Sequence, residues 1–212
     1  MEAEAYVALT ARYETALFSY TARMLGDLRD GERCLVTALA AGWRGLAGGA
    51  EPARPQEWFT ALVREQCFDE LLRRGPGVTA EGDLEGGRDC VAVAADEALA
   101  ALRPAYRDLL LLQDVHGLAG PLLETVTDMS AADLRNQLYR ARVEFGGAYA
   151  AQAAPARCPA RRSDCPDCAE RERLRATPQR ALLHLAPLPV RDQVRRDLRA
   201  ALSAAERRPA PT

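Results

Sequence analysis

Apolar residues recur at every third or fourth position through most of this chain, and nowhere does the strand pattern of strict alternation appear, so the pattern predicts an all-α protein. The clearest case follows Met129. Ser130 and Asp133 read as a helix N-cap and its reciprocal acid. Leu134, Leu138 and Ala141 then repeat at helical spacing and turn inward, while Arg135, Asn136, Tyr139, Arg140 and Arg142 point out. Before this helix lie Ala98 to Pro104, the run Leu109 to Leu112 and a turn from Asp114 to Leu118. Together they predict a helix-turn-helix that sets a short basic helix where it can enter a DNA major groove. Near the end of the chain a second stripe places Val190, Val194, Leu198, Leu202 and Ala205 three or four residues apart, with Arg191, Arg195, Arg196 and Arg199 on the wet side. Such a stripe has to be covered, by the helical domains of this chain or by a partner.

Gly and Pro divide the pattern. Gly45, Gly48, Gly49 and the stretch Pro52 to Pro55 make the segment between Trp43 and Trp58 a loop joining two helices. From Gly75 to about Asp89 the chain is acidic and lacks apolar periodicity, which reads as a flexible linker. Gly146, Gly147 and the small residues up to Pro155 close the next domain. The expected organisation is therefore a helical domain over 1–74, a linker over 75–95, the helix-turn-helix domain over 96–150 and a small helical, cysteine-containing tail over 155–207.

Composition narrows the function classes. No apolar run approaches the ~20 residues that span a bilayer, and the acidic N-terminus lacks a charged-then-apolar signal segment, so a cytoplasmic protein without membrane contact is expected. All 28 basic residues are Arg and Ile is absent, a bias that fits a GC-rich coding sequence. The tail over 150–212 carries 13 Arg against seven acids, while the helix-turn-helix region over 98–149 carries five against six. Because phosphate neutralisation supplies most sequence-independent affinity, that region should bind DNA weakly by itself. No Gly-rich phosphate loop, nucleophile elbow or His-Glu-x-x-His helix is present. Acidic pairs such as Asp69 and Glu70 are adjacent in sequence and so lie on different helix faces. A non-enzymatic protein is expected.

The helix-turn-helix resembles the promoter-reading C-terminal region of bacterial sigma factors of the extracytoplasmic-function group. The resemblance rests on Leu109 to Leu112, on the turn from Asp114 to Leu118, and on Leu138-Tyr139-Arg140-Ala141-Arg142. The N-terminal part is similar to the same family's polymerase-binding domain. Arg12 to Glu14, Leu17 to Asp27, Asp30 to Glu32 and Trp43 fall in its order, and Pro55 to Arg64 with Asp69, Arg73 and Arg74 resemble its promoter-opening helix. The resemblance spans residues 6–149 and implies two partners, core RNA polymerase (β′ clamp and β flap) and promoter DNA, with an anti-sigma protein or another regulator as a third. It implies polymerase contacts through Asp30, Glu32, Leu35, Leu39 and Trp43. It implies −10 element contacts through Trp58 and Arg64, and −35 element readout by Arg135, Asn136, Tyr139 and Arg140, with Arg142 on phosphate.

Several positions depart from the family pattern. Arg33, Val36 and Thr37 stand where polar clamp-facing groups are usual. Val63-Arg64-Glu65 replaces Ala-Arg-Asn, which brings a carboxylate toward phosphates. Gly120, Pro121 and Glu124 occupy the first helix of the helix-turn-helix, with Glu124 where a small residue normally lets two helices approach. Two functions follow: a divergent sigma factor tuned by its tail, or a sigma-like interaction protein that holds a regulator or polymerase without starting transcription.

Six cysteines add one more candidate chemistry. Cys34 and Cys67 lie on apolar helix faces and read as small buried hydrophobes; Cys90 stands alone. Cys158, Cys165 and Cys168 form C-x6-C-x2-C, whose last pair is a spacing that lets two thiolates grip one zinc ion, with Cys158 as a third ligand. A disulfide pair and a vestigial knuckle are the other readings of this triplet. The stretch from Cys165 to Arg171, with Leu182 to Pro189, resembles the zinc-binding anti-sigma domain. That family's His before the first Cys of the pair is Arg161 here, and His184 is a distant fourth ligand. His116 reads as a turn residue.

Overall fold

A computed structural model describes residues 2–75, 89–152 and 165–206. Every element in it is helical, and no strand occurs among the described residues. The helices are α1 (Ala3–Thr10), α2 (Glu14–Leu25), α3 (Leu28–Ala47), α4 (Pro55–Arg74), α5 (Cys90–Ala101), α6 (Pro104–Leu110), α7 (Pro121–Thr127), α8 (Ala131–Ala151), α9 (Pro166–Arg173) and α10 (Asp192–Glu206). A π-helical turn covers Leu111–Val115, and two 3₁₀ segments cover Leu174–Ala176 and Pro178–His184. Among the described residues no helix is long and apolar enough to cross a membrane.

The chain divides into two units. The first combines Met1–Gly82 with Pro187–Thr212, and the second is Asp83–Ala186. Two expected boundaries shift as a result. The stretch 155–207 is not one domain: α9 and the 3₁₀ segments belong to the second unit and α10 to the first. Helix α5 begins inside the expected linker because Asp89 caps it, accepting a 2.6 Å bond from the Ala92 N–H, and Cys90, Val91, Ala92, Ala94 and Ala95 are buried. Short side chains had hidden that apolar face. The rest of the acidic stretch, and Cys158, lie outside the described residues.

In the first unit, α2 stops at Gly26, whose φ of 72° is a left-handed helix cap that favours glycine. The next helix starts two residues later, where the Asp27 carboxylate accepts from the Asp30 N–H at 2.8 Å. Pro55 opens α4 at a position where no N–H is needed. Tyr6, Phe18, Met24, Leu35, Leu39, Phe59 and Val63 form the core. The Tyr6 ring lies 5.3 Å from Trp43 and 6.0 Å from Phe59. Its hydroxyl donates to the Leu39 carbonyl at 2.6 Å, which satisfies a phenol whose pKa burial pushes up.

At Gly31, α2 and α3 meet backbone to backbone: a Cβ there would stand 2.6 Å from the Ala22 Cα. Backbone cannot swing away as a side-chain tip can. Gly31→Ala is therefore expected to destabilise by about 1–3 kcal/mol despite its better helix propensity. A urea titration checks this, and a stabilised variant would contradict the close approach.

The second unit is built around α8, against which α5, α6, α7 and the 3₁₀ segments pack. Leu134, Leu138, Ala141, Phe145 and Tyr149 are its buried face, continuing the predicted stripe by two aromatic positions. The corner between α5 and α6 is closed by Arg107. Its guanidinium donates to the carbonyls of Leu99 at 2.9 Å, Ala100 at 2.7 Å and Leu102 at 3.1 Å, taking up the unpaired end of α5.

Candidate functional site

The segment expected as a helix-turn-helix consists of α7, the turn Asp128-Met129-Ser130, and α8. Asp128 adopts φ 54°, a left-handed conformation that Asp tolerates, and reverses the chain there. Ser130 caps α8 by accepting from the Asp133 N–H at 3.1 Å. The reciprocal half differs from a full capping box, because the Asp133 carboxylate accepts from the Ser130 hydroxyl at 2.7 Å. Leu123, Val126 and Thr127 bury the inner side of α7, so Glu124 is left half-buried at its edge and takes no core position.

Arg135, Asn136, Tyr139 and Arg140 are all exposed on the outer side of α8. Tyr139 is 70% exposed, and Val143, one turn on, is 57% exposed. Two large apolar groups held in water beside two arginines and an amide give a face with donors for base edges and a ring for sugar or methyl contact.

Arg142 does not belong to this set. Its guanidinium forks onto Asp114, Nε to Oδ2 at 3.0 Å and Nη2 to Oδ1 at 2.6 Å. Those bonds raise its pKa and tie α8 to the π-helical turn. Arg142, implied as a phosphate contact, is partly exposed and follows the buried Ala141 at the rim of the inner face, where it makes this internal pair.

In the first unit the expected polymerase contacts separate into two groups. Leu35, Leu39 and Trp43 are 0%, 1% and 8% exposed and face the unit's own core. They are not available to a partner: their four-residue spacing is the inner stripe of α3. Asp30 and Glu32 are ionic surface groups, Asp30 bonded to Arg33 at 2.5 Å and to Arg74. Glu32 is forked by Arg191, which comes from the segment leading into α10. Trp58, expected on the −10 element, is half-buried and packs where α3 presents Gly42 and Gly45. Arg64 lies 5.0 Å over the ring of Phe68.

Helix α10 seats on α1 and α3 through Val194, Leu198 and Leu202, which are 1–3% exposed. Its arginines are less free than the pattern suggested. At a spacing of four, Arg191 meets Glu32 of α3, Arg195 forks onto the buried carboxylate of Glu14 of α2, and Arg199 reaches Glu4 of α1 at 3.2 Å. Just before the helix, the Leu188 N–H donates to the Ser19 hydroxyl at 2.8 Å. Arg196 alone of the four bonds within its own helix, to Gln193.

A third constellation lies in the second unit. The thiol sulfurs of Cys90, Cys165 and Cys168 all fall within 4.8 Å of one another and could hold a metal ion. Cys90 and Cys165 are buried, and Cys168 is partly exposed. Cys165 and Cys168 were expected as ligands; Cys90 was not, and no short-range spacing in the sequence links it to the pair. His184 is outside this group of ligand atoms. Its Nδ1 instead lies 3.1 Å from the carboxylate of Asp89, the residue before Cys90. Cys34 and Cys67 are buried as expected, and in addition touch, sulfur to sulfur, at 3.4 Å.

No protein-family model matches this chain, and no curated protein shows significant similarity to it.

Proposed function

We propose that this protein is a sigma-like transcription initiation factor that binds core RNA polymerase, directs it to promoter DNA and is restrained by its own C-terminal helix. The observation carrying the reading is the outer side of α8, where Arg135, Asn136, Tyr139 and Arg140 stand exposed directly after a capped helix-turn-helix turn. Solvated arginines on a helix are common; what favours the reading is that two of them share one face of a capped helix with an amide and an exposed aromatic ring. The slight acidity of this region fits DNA binding that depends on a tether to polymerase.

The test is reconstitution of the full chain with bacterial core polymerase, followed by promoter-dependent transcription and footprinting. Arg135→Ala or Asn136→Ala should relax −35 selectivity by about 1–3 kcal/mol, roughly 5- to 150-fold, with the fold intact. Arg142→Ala should instead loosen the second unit. Unchanged protection by both Arg135→Ala and Asn136→Ala would remove the reading role from α8.

A second reading, a sigma-like interaction protein that does not start transcription, is favoured by a specific observation. The Glu32 carboxylate is occupied by Arg191, and Arg64 stacks on Phe68, so groups implied for polymerase and promoter are taken up internally. Binding of core polymerase without transcript from any promoter would select this reading.

A further inference from the structure

We propose that Cys90, Cys165 and Cys168 bind one zinc ion as thiolates and that the ion staples the tail segment to the first helix of the second unit. This inference does not depend on the transcription reading.

The geometry carries it. Tetrahedral zinc with sulfur at about 2.3 Å places its thiolates roughly 3.8 Å apart, and the three sulfurs already lie within 4.8 Å of one another. Closing them onto an ion needs no more than about an ångström of movement. The set is all sulfur, which selects a soft or borderline cation over magnesium or calcium. Cys90 is the first residue of α5, Cys165 is the N-cap of α9, and Cys168 lies in the first turn of α9. The N-terminal ends of two helices therefore meet at the sulfurs.

Holding three neighbouring thiolates together, two of them buried, without a cation would be unfavourable through mutual repulsion and lost hydration, and a bound dication offsets both effects. Pro166 fixes the entry into α9 so that the Cys-x2-Cys pair converges on one point.

The site joins residues 75 positions apart in the chain. Around it, the second unit's remaining links to α9 include the Arg171 guanidinium donating to the Gln152 carbonyl, joined there by Arg175 at 3.0 Å. The metal therefore ties α9 to α5, while these arginines tie α9 and the 3₁₀ turn after it to the C-terminal end of α8. Because the ligands are brought together only by folding, zinc affinity appears as stability of this contact.

The full-length protein, purified under reducing conditions with no chelator, should carry one equivalent of zinc, and Cys90→Ser should lower zinc affinity by about 100-fold or more. Cys34→Ser should leave it unchanged, since that thiol lies in the other unit. Cobalt substitution provides a readout separate from folding. Three thiolates give tetrahedral visible bands and a near-ultraviolet thiolate-to-cobalt band about one-half more intense than two would, since its intensity grows with the number of metal–sulfur bonds. Circular dichroism of Cys90→Ser separates ligand loss from misfolding, and the cobalt spectrum of the unaltered chain decides the matter if that variant does not fold. Protein that binds neither zinc nor cobalt, or a Cys90→Ser protein that retains zinc at unchanged affinity, overturns the proposal. So does a purified protein in which two of these sulfurs form a disulfide that persists under reducing conditions.

Discussion

Leu198→Asp is expected to release α10 from the first unit. Leu198 is 3% exposed at the centre of the stripe formed with Val194 and Leu202. Losing a buried leucine of this kind costs about 2–5 kcal/mol, and the new carboxylate adds the cost of burial without a partner. Fully burying the three side chains stabilises the seat by roughly 1.5–3 kcal/mol each, an upper bound because the undocked segment keeps some contacts. One substitution thus removes most of the attachment. The flanking pairs from Arg191 and Arg199 are exposed at the arginine end and add little.

Amide exchange over 192–206 should rise toward that of an unstructured segment, while α2, α3 and α4 keep their protection through the Tyr6, Trp43 and Phe59 cluster. If α10 restrains a partner-binding face, the same variant should bind core polymerase at least tenfold more tightly, since binding no longer has to displace the helix. Protection that persists in α10 would refute the seat. Full release with unchanged polymerase affinity would leave the seat intact and refute the restraint.

The periodicity that makes helices legible does not say what covers them. For α8 the inward stripe Leu134, Leu138 and Ala141 is read correctly, since capping and apolar spacing are both local. For α3 the family resemblance implies a partner for the same spacing at Leu35, Leu39 and Trp43, yet these side chains are the unit's own core. Resemblance supplies a role for a position only if the position is exposed, and exposure is a tertiary property. The α10 stripe shows the converse. Its need for a cover is visible in the sequence, but the cover itself, with acids drawn from α1, α2 and α3, depends on contacts more than 150 residues away.

The metal constellation divides in the same way. A Cys-x2-Cys pair is legible because its two thiolates meet within one turn of backbone, whereas Cys90 joins them only once α5 and α9 pack. Its one local clue is its place directly after the Asp89 cap. The partner of Arg142 is hidden for a similar reason: spacing gives its outward direction, but the Asp114 carboxylate it pairs with lies 28 residues back.

Arg107 offers the strongest single test of the second unit. It is a buried cation whose pKa burial pushes down to about 10, and it donates to the carbonyls of Leu99, Ala100 and Leu102 at the end of α5. Arg107→Leu approximates its apolar volume but leaves three carbonyls at a helix end without their donor. Each unsatisfied buried group costs about 1–3 kcal/mol, and the variant recovers part of this by shedding the desolvation of the charge. A net loss of about 2–4 kcal/mol is expected, several degrees or more in Tm for a unit of this size. Arg107→Lys should recover only a fraction, because an ammonium cannot span three carbonyls with a rigid fork. On the proposed reading of α8, promoter binding should be lost in Arg107→Leu only as the unit unfolds and should return on cooling, whereas Arg135→Ala should lose selectivity at every temperature with stability unchanged. An Arg107→Leu protein as stable as the parent would mean that the α5–α6 corner is held by its apolar contacts alone.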